Sequence, residues 1–454
     1  MQTQRDHVHA HTFMVGRLSS ALVEGDPTRA EIPGRRAQTG FLIGIILVAL
    51  VVGGFAVYGW IVPGGSNAYK TAGAILVEKE SGNRYVYLNG VLYSTPDLTS
   101  AMLIQGAKSQ VKLISKNSIK DVPRGGAIGV SGAPKEVPAA GDLFAGPWLT
   151  CLPGSVVTDR KVDGVGVNLD PKTPADPLPE KNFAVVRGDD GTPYLLANYL
   201  KYKVTDEAVL VALGAGSIKP AAAPDMWLDW LGDGPELGPA KIEGAGQKGP
   251  KVGGESYDVG TLFRQRSDSG VEQLFVLRKD GLAPMSRTEF LIADAKDKGS
   301  PVDVDPSAIV GAKRSSDQSL LDRLPDLASL RLEDAAGRAL CMQQRPVSAT
   351  NFTSVVVYAP RYAAAVNNDG GTFVISRPGA GMAVVAAPVL STTAVKQVSF
   401  LDENGTAYRL TGADTVAALK LSNVTPVPFP KDLLAVLPQG PALSRQAVAG
   451  LPRG

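Results

Sequence analysis

Three histidines and two cysteines are the residues of this 454-residue chain best suited to metal binding, proton transfer or nucleophilic attack. His7, His9 and His11 alternate in the stretch HVHAH, and no histidine follows among residues 12–454. The body of the chain therefore lacks the means to build a Ser-His-Asp triad, a Cys-His pair or a histidine-ligated metal centre. The triplet itself reads as a solvated face near a helix start. A phosphate loop needs Gly-Lys followed by Ser or Thr, so that the lysine reaches the phosphates and the hydroxyl holds magnesium. The nearest stretch, GAGQKGPK at residues 244–251, has neither and reads as a flexible loop. The acidic runs DVD (303–305) and NNDGG (367–371) lack the spacing and closing Glu of a calcium loop and read as turns. No pair of carboxylates stands out for glycoside chemistry. The expectation is no catalytic residue, no cofactor and no metal.

The elements that position the chain are more informative. Residues 41–62, FLIGIILVALVVGGFAVYGWIV, run for 22 positions without a charged side chain. At roughly 1.5 Å per residue they extend about 33 Å, against about 30 Å of bilayer hydrocarbon, so one transmembrane helix is expected. Tyr58 and Trp60 stand where an interfacial aromatic belt would sit. With 40 residues ahead of it and Pro63-Gly64-Gly65 behind, the segment reads as an uncleaved signal anchor. Arg29, Arg35 and Arg36 precede it and Lys70 is the first basic residue after it, which places the N-terminus in the cytoplasm and the C-terminal domain in the periplasm. A balance of 46 basic to 44 acidic residues offers nothing that would draw nucleic acid.

Cys151 and Cys341 both lie beyond the span, where an even count in an oxidising compartment favours one disulfide. A loop of 190 residues closed in this way gains roughly 4–5 kcal/mol in the chain-entropy account. Around the cysteines a short pattern recurs: an apolar strand, a turn with glycine, a second strand with an aromatic residue, and a capped helix. It appears at Gly82 with Tyr85, at Gly191 with Tyr194 and at Gly405 with Tyr408, and more weakly at Gly270, where Leu274 and Phe275 stand near the tyrosine position. Thr95 with Pro96 at the first helical position, and Ser286 with Glu289 as a capping box, are the expected helix starts. Gly82 precedes Cys151 by 69 residues and Gly270 precedes Cys341 by 71, which implies an internal duplication whose halves give matching strands, PWLTC and RALCM, to one core. Units this small need neighbours to bury a face.

The expected class is α+β: a single transmembrane helix, then an elongated periplasmic domain with a central β-rich core and about four small ββα-type repeats. The divisions are 1–40 (cytoplasmic tail with an amphipathic helix), 41–62 (span), 63–135 (repeat 1), 136–180 (core segment with Cys151), 181–256 (repeat 2), 257–325 (repeat 3), 326–394 (core segment with Cys341) and 395–454 (repeat 4 and C-terminal tail). Residues 160–180, 232–256 and the tail from Pro438 read as loops, and 379–401 as core strands. In the cytoplasmic tail, Phe13, Met14, Leu18, Ala21 and Leu22 form a helical stripe with few charges beside it, which favours docking on a protein partner over lipid.

The tail HAHTFMVGRLSSALVEGDP, the single span, the run GAILVEKESGNRYVYLNGVLYS, the segment VPRGGAIGVSGAPKEVPAAGDLFAGPWLTC and the paired distal cysteine resemble the EccB family, membrane components of actinobacterial type VII (ESX) secretion systems. The resemblance runs along essentially the whole chain. It implies a membrane complex with EccC, EccD and EccE in which this chain supplies the large periplasmic part, and a core plus peripheral repeats joined by a disulfide. The leading expectation is a structural subunit, and the small units' need for neighbours motivates self-association into a multimer. Some members are called ATPases, whereas this chain has no nucleotide motif. An extracytoplasmic hydrolase or ATPase, and a cell-wall-binding module, are the alternative functions.

Overall fold

The structure is a computed structural model, and it describes residues 4–23, 25, 28, 35–61, 66–158, 162, 164–266, 270–297, 299–364, 372–388 and 397–449. Uninterrupted apolar sequence gives one long helix, Arg35–Ile61, within which Ala37–Gly59 is long and apolar enough to cross a membrane, with its side chains uncovered by protein. Ahead of it lies the helix Gln4–Val23. Val62, expected at the end of the span, and the run 367–371 lie outside the described residues.

The chain divides into two compact units, Met1–Leu92 with Val111–Gly125, and Tyr93–Gln110 with Gly126–Gly454. In the first, Ala74–Glu78 and Arg84–Leu88 pair antiparallel, Leu76 opposite Tyr85, within a four-stranded sheet ordered Val91–Thr95, Arg84–Leu88, Ala74–Glu78, Gln110–Ile114. Strand alternation directs Leu76, Tyr85 and Ile114 to one face, where they pack with Ile119.

The second unit is built on a six-stranded sheet ordered Phe373–Ile375, Gly166–Asn168, Trp148–Cys151, Ala339–Pro346, Phe352–Ala359, Asp176–Pro177. Trp148–Cys151 and Ala339–Pro346 run antiparallel with Cys151 opposite Cys341, and the disulfide joins them across 190 residues. One face sends Trp148 and Met342 into the largest apolar cluster; the other buries Leu149, both cysteines and Val357. Three further sheets, of six, four and five strands, belong to the same unit. In spatial order their first four strands are Ala221–Ala222, Asn182–Arg187, Pro193–Ala197 and Leu200–Lys203 in one, then Val302–Asp303, Leu262–Arg266, Glu272–Arg278 and Gly281–Pro284, then Val427–Pro430, Met382–Ala387, Val398–Leu401 and Ala407–Thr411. Each repeats one path: three antiparallel strands, a helix, and a fourth strand parallel to the first. This is the α+β class with a β-rich body that the sequence leads one to expect.

Several local expectations are corrected. Met382–Ala387, read as a core strand, is an inner strand of the last of these sheets, and Arg331–Leu332, placed with the core, pairs beside Asn182–Phe183. The segments read as loops contain strands: Gly166–Asn168, Asp176–Pro177, Gly232–Asp233, the hairpin Lys248–Val252 with Glu255–Asp258, and Leu443–Ser444, which is followed by the helix Arg445–Ala449. Such short strands carry too little apolar sequence to show a period, and edge pairing holds them. The helix Leu98–Gln105 is capped by Asp97 rather than started by Thr95-Pro96; its carboxylate accepts from Ser100 N at 2.5 Å and Ser100 Oγ at 3.0 Å, a stronger cap than threonine. Ser286 does cap Arg287–Lys296 through Glu289 N at 3.2 Å. The reciprocal arm of the box is missing, because Ser286 N donates to Leu320 O and the Glu289 carboxylate takes Arg323 at 2.5 and 2.7 Å.

The short helices find partners across sheets. Ala208–Ala212 packs on Arg287–Lys296, and Leu98–Gln105 packs on Ala413–Ala418 and Arg445–Ala449. Helices of five to eight residues are not stable alone, so each depends on its neighbour.

Candidate functional site

At the core junction, buried aromatic side chains meet hydrogen-bonding groups of the central strands. Trp148 Nε1 donates to Gln344 Oε1 at 2.8 Å across the disulfide-linked strands, and Trp227 Nε1 donates to Thr150 O at 2.9 Å. Trp227 arrives from the helix Asp225–Leu228, and Phe429, on the last of these sheets, packs on Trp148 with ring centroids 4.8 Å apart and the ring planes tilted by 33°. The strands that carry the cysteines are thus gripped by aromatic side chains from two flanking elements. This arrangement fixes position; it has no nucleophile and no ionisable group. The sequence reading missed Trp227 and Phe429, and apart from being large aromatics in apolar runs they give no local signal.

The turn glycines take positive φ at Gly82 (73°), Gly191 (84°), Gly270 (80°) and Gly405 (75°). The aromatic partners then sort into two sets. Arg124 donates to Tyr85 Oη at 2.9 Å and lies over its ring, and Arg314 lies over the ring of Phe275 in the same way, at 5.0 and 5.1 Å respectively. Parallel bridges join Leu92 to Arg124 and Leu282 to Arg314. Each of these pairs, like Cys151 and Cys341, is offset by 190 residues, so Phe275 is the counterpart of Tyr85.

Gly405 and Tyr408 do not match Gly191 and Tyr194. Gly405 turns between the second and third strands of its sheet, whereas Gly191 turns between the first and second. A Cβ on Gly405 would come within 2.5 Å of Val374 Cγ1, so this turn needs glycine for its φ and for its approach to the core. Tyr408 instead matches Tyr202: their rings cover Gly440 and Gly234, which have no room for a Cβ. The offset here is 206 residues, and the similar wording of two different turns disguised it. Tyr194 is half-buried against the large cluster. Burial, with the Asp402 carboxylate accepting from its hydroxyl at 3.3 Å, pushes Tyr408 up to about 12, and burial raises Tyr202 as well. Hydrogen bonds from Thr192 hold Asp190 in the Gly191 turn below the usual carboxylate range.

Elsewhere the candidates for chemistry resolve into structure. Residues 244–251 run into the strand Lys248–Val252 rather than into a helix, so the expected loop ends in a hairpin. Asp303, read as part of a turn, is in a short strand and pairs with Arg264 at 2.7 and 3.0 Å, which lowers its pKa. His7, His9 and His11 are exposed on the first helix, where a two-residue step of about 200° turns His9 away from the other two. Among the described residues no group of three or more His, Cys, Asp or Glu could hold a metal. Phe13, Met14, Leu18 and Leu22 all lie exposed on that helix.

The family described as type VII secretion system ESX-1, transport TM domain B, matches residues 1–450. A protein named ESX-1 secretion system ATPase EccB1, from Mycobacterium tuberculosis (strain ATCC 25618 / H37Rv), is 24% identical over 470 residues, covering 98% of this chain and 94% of the relative. Among solved structures, a chain of the periplasmic assembly from the ESX-5 inner membrane complex is similar with a TM-score of 0.57 at 23% identity, covering 86% of this chain and 99% of that one. A chain of the EccB3 dimer from the ESX-3 core complex gives a TM-score of 0.54 at 22% identity, covering 83% and 99%.

Proposed function

Because this chain belongs to the EccB family of type VII secretion membrane proteins, we propose that it is a structural subunit of an ESX inner-membrane complex, forming part of its periplasmic body for protein export. One observation carries this: a membrane span followed by a disulfide-pinned core with flanking sheets, the whole matching the family along residues 1–450. The chain is a single-pass membrane protein; its orientation is part of the proposal. Arg29, Arg35 and Arg36 on one side and Lys70 on the other support a cytoplasmic N-terminus and a periplasmic C-terminal domain. The partners are EccC, EccD and EccE homologues and further copies of this chain. Exposed Phe13, Met14, Leu18 and Leu22 supply the docking face of the cytoplasmic tail. The divisions near residues 62, 135, 180 and 325 remain part of this reading, with repeat 3 taking in the hairpin Lys248–Val252 with Glu255–Asp258, whose Val252 packs with Phe263, and with repeat 4 beginning at Met382.

The EccB1 relative carries the word ATPase in its name. Here the glycine-rich stretch 244–251 leads into a strand, which supports assigning the energy supply to the EccC motor. A strain lacking the chain should lose export by its system and regain it with the full chain, but not with Phe13→Asp and Leu18→Asp together. Alkaline phosphatase fused to the C-terminus should be active. Undiminished export without the chain would overturn the function, and an inactive fusion would overturn the orientation.

A further inference from the structure

The strand Gln110–Ile114 closes one edge of the sheet in the first unit, and one side of it is uncovered. Val111 and Leu113, two positions apart and so on one face, are 53% and 64% exposed, while Ile114 turns inward. Soluble proteins blunt such apolar edges. The unit beyond the span is basic: residues 66–92 and 111–125 carry seven Lys or Arg against three Asp or Glu, of which Glu78 is buried and Glu80 accepts from Lys116 N at 3.0 Å. Lys116 and Lys120 follow the strand and are exposed. The sheet is also tethered. Residues 62–66 alone separate Ile61 from the turn Asn67–Lys70, which packs on the sheet through Tyr69 and Tyr87 with centroids 5.2 Å apart. Five residues reach at most about 18 Å, and four strands span only about 15 Å.

We infer that the Val111–Leu113 edge and its lysines dock on the anionic phospholipid leaflet from which the span emerges. This rests on the reading that Ala37–Gly59 crosses the bilayer. The two apolar side chains enter the headgroup–acyl boundary while the lysines meet phosphates, two weak signals that add. The occupant is lipid because the patch is short, basic and held within reach of the membrane by its own chain.

The test uses the full chain, disulfide intact, in nanodiscs of phosphatidylcholine with phosphatidylglycerol. An environment-sensitive NBD probe is placed at Leu113→Cys, with Val310→Cys of the second unit, 82% exposed, as the solvent reference and Val48→Cys reporting the span. The Leu113 probe should be blue-shifted and quenched by headgroup-level doxyl lipid, and the control should not. Each basic residue near an anionic leaflet strengthens attachment about fivefold, so Lys116→Glu with Lys120→Glu should reduce quenching to the level in phosphatidylcholine alone. Iodide quenching as strong as at Val310 overturns the inference. So does shielding from both lipid and iodide, which would assign the edge to a protein surface such as a second copy. If deep acyl-chain quenching fails at Val48, the span reading falls; if it succeeds there and headgroup quenching fails at Leu113, only the docking falls.

Discussion

Replacing Gly440 with alanine tests the corrected alignment of the repeats. Gly440 has no positive φ to forbid a side chain, so the cost of Gly440→Ala is steric. Its Cβ would lie 2.5 Å from Cδ1 and 3.0 Å from Cζ of Tyr408, against ordinary carbon contacts of about 3.5–4.0 Å. The ring must withdraw by about 1 Å from a site where it is 5% exposed, and such overpacking costs about 1–3 kcal/mol. In native-state hydrogen exchange that is an acceleration of about five- to 150-fold for amides of Ala407–Thr411. In a Tyr408→Ala background the same substitution should change little, within about 0.5 kcal/mol, because the obstructing ring is gone. Gly234→Ala should show the same dependence on Tyr202. Equal costs of Gly440→Ala with and without the ring would refute the pairing and with it the 206-residue correspondence.

Other outcomes follow from named contacts. Cys151→Ser should destabilise the second unit by about 2–5 kcal/mol and open the segments around the core to protease, matching the effect of reducing the wild type; unchanged protease resistance would remove the disulfide from the account of the core. Arg323→Ala leaves the fully buried Glu289 carboxylate without its partner and should cost about 3–5 kcal/mol by denaturant titration, with Glu289→Gln milder. Asp97→Ala should cost about 1 kcal/mol through loss of the cap on Leu98–Gln105. Tyr408 has a folded pKa of about 12, above its unfolded value near 10, so its contribution is complete below the unfolded value and is lost as pH rises through the folded one. Thermal scans between those limits should show a steeper decline for wild type than for Tyr408→Phe.

Much of this architecture was legible because it is written in strong local signals. A charge-free run defines the span, and two cysteines beyond it define the clamp between Trp148–Cys151 and Ala339–Pro346. The first-half correspondence was legible too, since Leu92, Arg124 and Cys151 recur unchanged at Leu282, Arg314 and Cys341. What misled was similarity of turn chemistry: DDGTPY and ENGTAY both need a positive-φ glycine, yet they serve different turns of the same sheet path. Tertiary constraints decided the rest. Arg323 draws Glu289 out of a capping box, and two-residue strands such as Leu443–Ser444 exist only because an edge is available beside Leu410–Thr411. Neither effect has a periodic signature along the chain.

The central claim, that this chain is a scaffold subunit rather than a free-standing enzyme, is tested most directly by extracting it from its native membrane in mild detergent through a C-terminal tag and measuring the mass and composition of what accompanies it. The account predicts a large assembly containing several copies of this chain with EccC, EccD and EccE homologues. A lone monomer with nothing bound would contradict it.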